Sequence, residues 1–200
     1  MMSNSIPYDP IFDSQRHFRM LLDCMARPGK IANLADVPLV LPIGLDLPAV
    51  LIGYVLLDEH TTFWIPPSLS EASAYLHRET GSRPSSLEKA DFLFGSVVME
   101  TSWVQKAPLG TAEYPESGST LIAEVNEISN KPLKGTMAIT LKGPGIDHEK
   151  TLHVSSNSGK FWKALREKNE NYPLGVDTIL LTKSGYISAL PRSIKLDWER

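Results

Sequence analysis

A guanidinium or ammonium group at the end of a β-strand can hold a carboxylate or a phosphate. Two residues of this chain have that context. Arg192 follows the apolar run ending in Leu190-Pro191, and Lys142 opens the glycine phrase Lys142-Gly143-Pro144-Gly145. An arginine there binds such anions bidentately. The plainer reading is an ion pair or an interface contact, because such pairs are commonplace on protein surfaces. Glu113 and Glu116 flank Tyr114-Pro115. Paired carboxylates do acid–base work when their environments differ, but turn carboxylates more commonly cap backbone amides or face water. Asp177 closes the phrase Pro173-Leu174-Gly175-Val176-Asp177. Arg192, Lys142, Glu116 and Asp177 are thus candidates for ligand or interface contacts, and no residue is assigned a catalytic role.

Other reactive groups point less far. Lys142-Gly143-Pro144-Gly145 lacks the lysine–serine/threonine pair and the following helix of a phosphate loop, so it reads as a strand-to-strand turn. Cys24 lies beside an apolar helix face with no base in view and is expected to be a plain buried cysteine. His17, His60, His77, His148 and His153 show no metal-site spacing; His148 and His153, five apart, are loose for a ligand pair, and no metal is expected. Arg27 and Lys30 follow the first helix and, like Arg192, are read as ion-pair partners.

These side chains need strand ends and turns to position them. Pro-Leu-Gly occurs at residues 108–110 and at 173–175, each time ahead of an apolar, β-prone run, Thr120–Val125 and Val176–Thr182. Proline fixes φ and glycine admits conformations other residues avoid, so each phrase is a rigid turn that launches a strand. The first helix is expected from an N-cap at Asp13, with Phe18, Leu21, Leu22 and Met25 on its apolar face, ending at Arg27-Pro28-Gly29. Lys30–Leu34 reads as a strand and Leu39–Leu45, with Pro42 and Gly44, as a loop. A buried helix capped by Asp46 follows over Ala49–Leu57, a central strand being the alternative. Thr61–Ile65 is a strand, Ser68 and Glu71 have capping-box spacing for a helix ending at Thr80-Gly81, and Ser82–Ser86 is a loop. Asp91–Phe94, Thr120–Val125, Thr136–Leu141 and Thr151–Val154 are strands, while residues 95–118 show no clear pattern. Ser158 caps a helix carrying Phe161, Trp162 and Leu165, and Val176–Thr182 with Tyr186–Leu190 forms a hairpin around Ser184-Gly185. The whole reads as one α/β domain over residues 1–200, a three-layer arrangement with a mixed sheet flanked by helices.

Composition agrees. The 200 residues carry 42% apolar and 22% charged side chains, which suits a globular protein with a sizeable core. A net charge of −3 argues against a general nucleic-acid or membrane-surface binder. Leu47–Leu57 is too short to span a bilayer, no signal peptide is visible at the N-terminus, and a single cysteine fits a reducing cytoplasm.

Five phrases together resemble a known family. They are Phe18-Arg19-Met20-Leu21-Leu22 with Met25 and Pro28-Gly29; Pro108-Leu109-Gly110-Thr111 with Pro115 to Leu121; Leu141 to Ile146; Pro173 to Asp177; and Ala189-Leu190-Pro191-Arg192. In this order and spacing the chain, from about residue 12 to residue 196, looks like PhnH, a subunit family of the bacterial carbon–phosphorus lyase machinery. Ser119 departs from an expected alanine, and Ser193-Ile194 from a threonine pair. The resemblance implies the fold of the large domain of pyridoxal-phosphate-dependent transferases without the cofactor. It further implies a homodimer, assembly with the G, I and J subunits, and a step shared with the G, I and L proteins. In that step a phosphonate displaces adenine from ATP to give ribose 1-phosphonate 5-triphosphate, with no autonomous activity expected of this subunit. The competing readings are a stand-alone enzyme that holds a phosphorylated ligand with Arg192 and Lys142, and a small-molecule-binding regulator descended from a cofactor enzyme. An interface role predicts a patch of exposed aromatic residues, Trp103, Tyr114 and Trp198 being the candidates.

Overall fold

The computed structural model describes residues 8–34, 39, 41, 44–155 and 159–198. The chain opens with helix α1 (Phe12–Ala26), a short strand β1 (Ala32–Asn33) and helix α2 (Leu47–Leu56). Strand β2 (Thr62–Trp64), a 3-10 turn at Pro67–Leu69, helix α3 (Ser70–Thr80), and strands β3 (Arg83–Pro84) and β4 (Phe92–Ser96) follow. Next come helix α4 (Ser102–Gln105), a 3-10 turn at Pro115–Ser117, and strands β5 (Thr120–Glu124), β6 (Ile128–Ser129), β7 (Thr136–Lys142) and β8 (Lys150–Ser155). Helix α5 (Gly159–Lys168) and strands β9 (Asp177–Leu181), β10 (Tyr186–Leu190) and β11 (Lys195–Trp198) complete it.

The strands form a seven-stranded mixed sheet, β1-β10-β9-β5-β4-β2-β3, and a four-stranded antiparallel sheet, β11-β7-β8-β6. In the larger sheet β3, β2, β4, β5 and β9 run parallel, β10 opposes them, and β1, antiparallel to β10, runs in their direction at the edge. From β2 the chain steps outward to β3 and then back across to β4, so the order of parallel strands reverses between β2 and β4. Open α/β sheets place their ligands outside the carboxyl ends of the strands at such a reversal.

Side chains of the central strands alternate between two cores, as the two-residue period of a strand requires. Phe94, Ile122, Ile179, Leu181, Ile187 and Ala189 pack with α1, α2 and α3. Leu93, Leu121, Ala123, Leu180 and Leu190 pack with α4, α5 and the smaller sheet, around Trp103, Phe161 and Trp162. The expected mixed sheet flanked by helices is present. What the strand pattern did not separate is the second sheet: β6 and β11 are too short or too polar to stand out, and β7 and β8 look locally like members of one sheet.

Several local expectations change. Asp9, not Asp13, caps α1: its carboxylate accepts the backbone N–H groups of Ile11 and Phe12 at 2.8 and 3.0 Å. The buried face of that helix is His17, Leu21 and Cys24, whereas Phe18 and Leu22 are exposed. The first strand shrinks to Ala32–Asn33. The apolar run from Leu47 is helical, with Pro48–Gly53 buried, but Asp46 makes no capping bond. The Ser68–Glu71 capping box does not form, because Pro67–Leu69 winds as a 3-10 turn and α3 begins at Ser70 without a side-chain cap. Gly81 ends α3 with a left-handed φ of 76°. The expected loop at Ser82–Ser86 contains β3. Ser158 and Pro42 lie outside the described residues.

Candidate functional site

Three of the phrases singled out by sequence meet at one end of the larger sheet. The loop 108–118 precedes β5, the loop 173–176 precedes β9, and Pro191-Arg192 follows β10. Because β5 and β9 are parallel neighbours and β10 is antiparallel to β9, all three fall at the same edge. Leu109 bridges Gly118, the Ser119 N–H donates to the Pro108 carbonyl at 2.9 Å, and the Gly175 N–H donates to the Leu109 carbonyl at 3.1 Å. The loops interlock through backbone, which is why glycine recurs. A Cβ on Gly118 would lie 2.5 Å from the Gly175 carbonyl oxygen, and one on Gly110, whose φ is 79°, would lie 2.6 Å from the Pro115 carbonyl oxygen.

Arg192 enters this knot from the side. Its Nε and Nη2 donate to Oδ2 of Asp177 at 3.1 and 2.7 Å, and its backbone N–H donates to Oδ1 at 2.9 Å. Nη1 donates to the Pro115 carbonyl at 2.5 Å, and Nη2 reaches the Gly118 carbonyl at 3.4 Å. The Arg192 side chain is 13% exposed and that of Asp177 20%. The fork is thus engaged by one carboxylate oxygen and two loop carbonyls at once, a spread of donors in one plane that suits arginine and not lysine. From the end of α5, Asn169 brackets Val176, accepting its N–H at 2.8 Å and donating to its carbonyl at 3.0 Å. Lys168 Nζ donates to the Ala107 carbonyl at 2.7 Å, and burial lowers the pKa of that amine.

Of the four candidates, then, the structure joins Arg192 and Asp177. Glu116 sits exposed in the 3-10 turn of the same loop. Lys142 stands on β7 of the second sheet, exposed, with Glu149 at 3.0 Å. Gly143 and Gly145 form the turn between β7 and β8, as expected. Arg27 and Lys30 both pair with Asp23. Cys24 is fully buried, and burial raises its thiol pKa. His17 is buried with neither ring nitrogen hydrogen-bonded among the described residues, and burial pushes its pKa down. His77 Nδ1 lies 2.8 Å from the Ser82 carbonyl.

At the opposite edge, the carboxyl ends of the parallel strands, lies a cleft that no phrase in the sequence marks. Ile65 and Pro66 after β2, Gly95 and Ser96 of β4, Glu124 of β5 and Leu181 of β9 line it, with Leu45 just before α2 and Ala49 in its first turn. It opens at the reversal between β2 and β4. Its volume, about 90 Å³, is room for about three waters or one small substituent. Glu124 supplies its charge. Desolvation raises the pKa of that carboxyl, partly opposed by Lys183, whose Nζ stands 3.9 Å from Glu124 and 3.2 Å from Asp46. A half-buried carboxyl above an apolar slot can accept or give up a proton near a small bound group. Only the strand order brings Asp46, Glu124 and Lys183 together, so their spacing in sequence carries no signal.

The expected aromatic patch does not form from the residues proposed for it. Trp103 is in the core, Trp198 is half-buried beneath the Arg166 guanidinium, and only Tyr114 is exposed.

Comparison with known proteins bears on the whole chain. A family model described as bacterial phosphonate metabolism protein (PhnH) matches residues 8–197. A protein of Rhizobium meliloti (strain 1021), named alpha-D-ribose 1-methylphosphonate 5-triphosphate synthase subunit PhnH, is 29% identical over 194 residues, covering 96% of this chain and 94% of that protein. A Stutzerimonas stutzeri protein, named putative C-P lyase subunit protein HtxG, is 32% identical over 186 residues, covering 92% of this chain and 85% of that protein.

Proposed function

That the chain belongs to the PhnH family of bacterial phosphonate metabolism proteins is the premise from which we propose its role: a subunit of the carbon–phosphorus lyase machinery that uses organic phosphonates. In this reading it supports the displacement of adenine from ATP by a phosphonate, giving ribose 1-phosphonate 5-triphosphate, and has no autonomous activity. It works in the cytoplasm as one domain over residues 1–200, as a homodimer when isolated, alongside the G, I and J subunits and, at this step, the L protein. Arg192 and Asp177 serve the knot between the loops, while Glu116 and Lys142, the latter beside Glu149, are exposed groups open to contact with other subunits.

The observation that carries this reading is the family match across residues 8–197. It is supported by the geometry of Arg192, one of the two cations to which the stand-alone reading gives a phosphorylated ligand, because its donors face protein acceptors.

The test is growth of the source bacterium, with the gene deleted in frame, on methylphosphonate as sole phosphorus source. The expected result is no growth on methylphosphonate, normal growth on phosphate, and rescue by the intact gene. Unimpaired growth in a strain that uses methylphosphonate through this pathway would overturn the reading. Adenine release from ATP and methylphosphonate by the purified chain alone would instead favour the stand-alone enzyme.

A further inference from the structure

Helix α1 is apolar on two faces, and among the described residues only one of them is packed against the rest of the chain. His17, Leu21 and Cys24 are buried against α2 and the larger sheet. On the outer side Ile11 is 75% exposed, Phe18 48% and Leu22 56%, and Phe12 beside them is 73% exposed. Ile11, Phe18 and Leu22 are spaced i, i+7 and i+11, so they form a continuous stripe along the helix. Single exposed apolar residues are ordinary, but a contiguous run in helical register marks a surface that something covers.

Charge indicates what covers it. Between Phe12 and Arg27 the helix and its cap carry Arg16, Arg19 and Arg27 against Asp13 and Asp23, in a chain whose net charge is −3. Asp13 is taken by Arg16, and Asp23 by Arg27 and Lys30. Arg19, exposed between Phe18 and Leu22 along the helix, has no ion pair among the described residues. A second copy using this face on itself would set α1 against α1 and bring like charges together at the centre of the contact. A different protein with an apolar surface bordered by carboxylates would satisfy both the stripe and Arg19.

We propose that the Ile11–Phe18–Leu22 face of α1 is the docking surface for another subunit of the carbon–phosphorus lyase machinery, one that presents an apolar patch edged with Asp or Glu. The proposal rests on the subunit reading above and adds the surface and the chemistry of its partner. Phe18 and Leu22 supply the buried contact, and Arg19 supplies register and salt dependence.

The experiment is co-expression of the full-length chain with the other subunits of the same machinery, one of them tagged, and quantification of the chain retained at low and high salt. Phe18→Asp/Leu22→Asp is expected to lower retention at least about tenfold, the scale of losing central contacts. Arg19→Glu should lower it less and should abolish the salt dependence of capture. Leu133→Asp, an exposed apolar position on the loop before β7, is the control and should be retained like the unaltered chain. All variants should keep their thermal midpoints, because the altered side chains are exposed. Retention of the double variant at the level of the unaltered chain would overturn the proposal. So would conversion of the free protein to a smaller species by the same double substitution, since the stripe would then be a contact between copies. Failure of the unaltered chain itself to be captured would instead sink the subunit reading.

Discussion

Truncating Arg192 to alanine would leave Asp177 with only the backbone N–H of residue 192 in place of three hydrogen bonds, and would leave the Pro115 and Gly118 carbonyls without their guanidinium partner. Removing one member of a largely buried ion pair strands the other, and the expected loss is about 3 kcal/mol, read as a lower urea midpoint at neutral pH. Arg192→Lys keeps the charge but not the fork, and should fall between alanine and the unaltered protein. An unchanged midpoint in Arg192→Ala would mean that the side chain serves a ligand and not the fold. Glu124 behaves in the opposite sense. Desolvation raises its folded-state pKa above the ordinary 4.5, so the folded protein holds that proton more tightly than the unfolded chain does. Its contribution to stability is therefore greatest in acid and declines as pH rises through the raised value. Glu124→Gln removes that decline. As pH rises from the ordinary carboxylate range through the raised value the variant should gain on the unaltered protein, modestly because solvent reaches the carboxyl. Denaturation midpoints of the two proteins that run parallel across this range would refute the assignment.

The knot of loops can be tested through the glycine that lets two of them touch. In Gly118→Ala the new methyl group meets the Gly175 carbonyl at 2.5 Å and the Arg192 guanidinium at 2.7 Å, so β5 and β9 cannot keep their spacing at that end. A loss of about 2 kcal/mol or more is expected, with Gly135→Ala, which meets nothing within 4 Å but carries a φ of 83°, costing less. Gly118 itself has an extended φ of −71°, open to any residue, so an unchanged midpoint in Gly118→Ala would refute the close approach as the reason for glycine there. These phrases were legible in the sequence because proline and glycine declare a turn through local backbone physics. Asp177 and Arg192 were legible as chemistry but not as a pair, since fifteen residues and a hairpin separate them. The helix at Leu47 and the β9–β10 hairpin were readable from apolar length and from Ser184-Gly185. The misreadings share a cause. A capping box at Ser68 and a cap at Asp13 are local options that the chain declines when Pro66-Pro67 or Asp9 offers another route into the helix. Periodicity picks out Phe18, Leu21, Leu22 and Met25 as the apolar face of α1, whereas packing buries His17, Leu21 and Cys24. Periodicity names an apolar stripe but does not say whether this chain or another protein covers it.

The strand order decides how the molecule should come apart. β5, β9 and β10 each send alternate side chains to opposite cores: Ile122, Ile179 and Ile187 to the helical layer, Leu121, Leu180 and Leu190 to the layer of α5 and the smaller sheet. Neither layer can melt without stripping one face of the shared sheet, and β11 ties the end of the chain into the smaller sheet immediately after β10. The tryptophans provide a test because they sample one layer only. Trp103 and Trp162 are fully buried in the α5 core, and Trp64 and Trp198 pack at its margin. Far-ultraviolet circular dichroism, by contrast, is weighted towards the long helices α1, α2 and α3 on the other side. If residues 1–200 act as one folding unit, tryptophan fluorescence and circular dichroism should trace the same urea transition, with one midpoint and one slope. A fluorescence transition displaced from the helical one would mean that the two layers are separate units sharing a sheet. The stability changes expected for Arg192 and Gly118, which lie on the seam between them, would then appear in one signal and not the other.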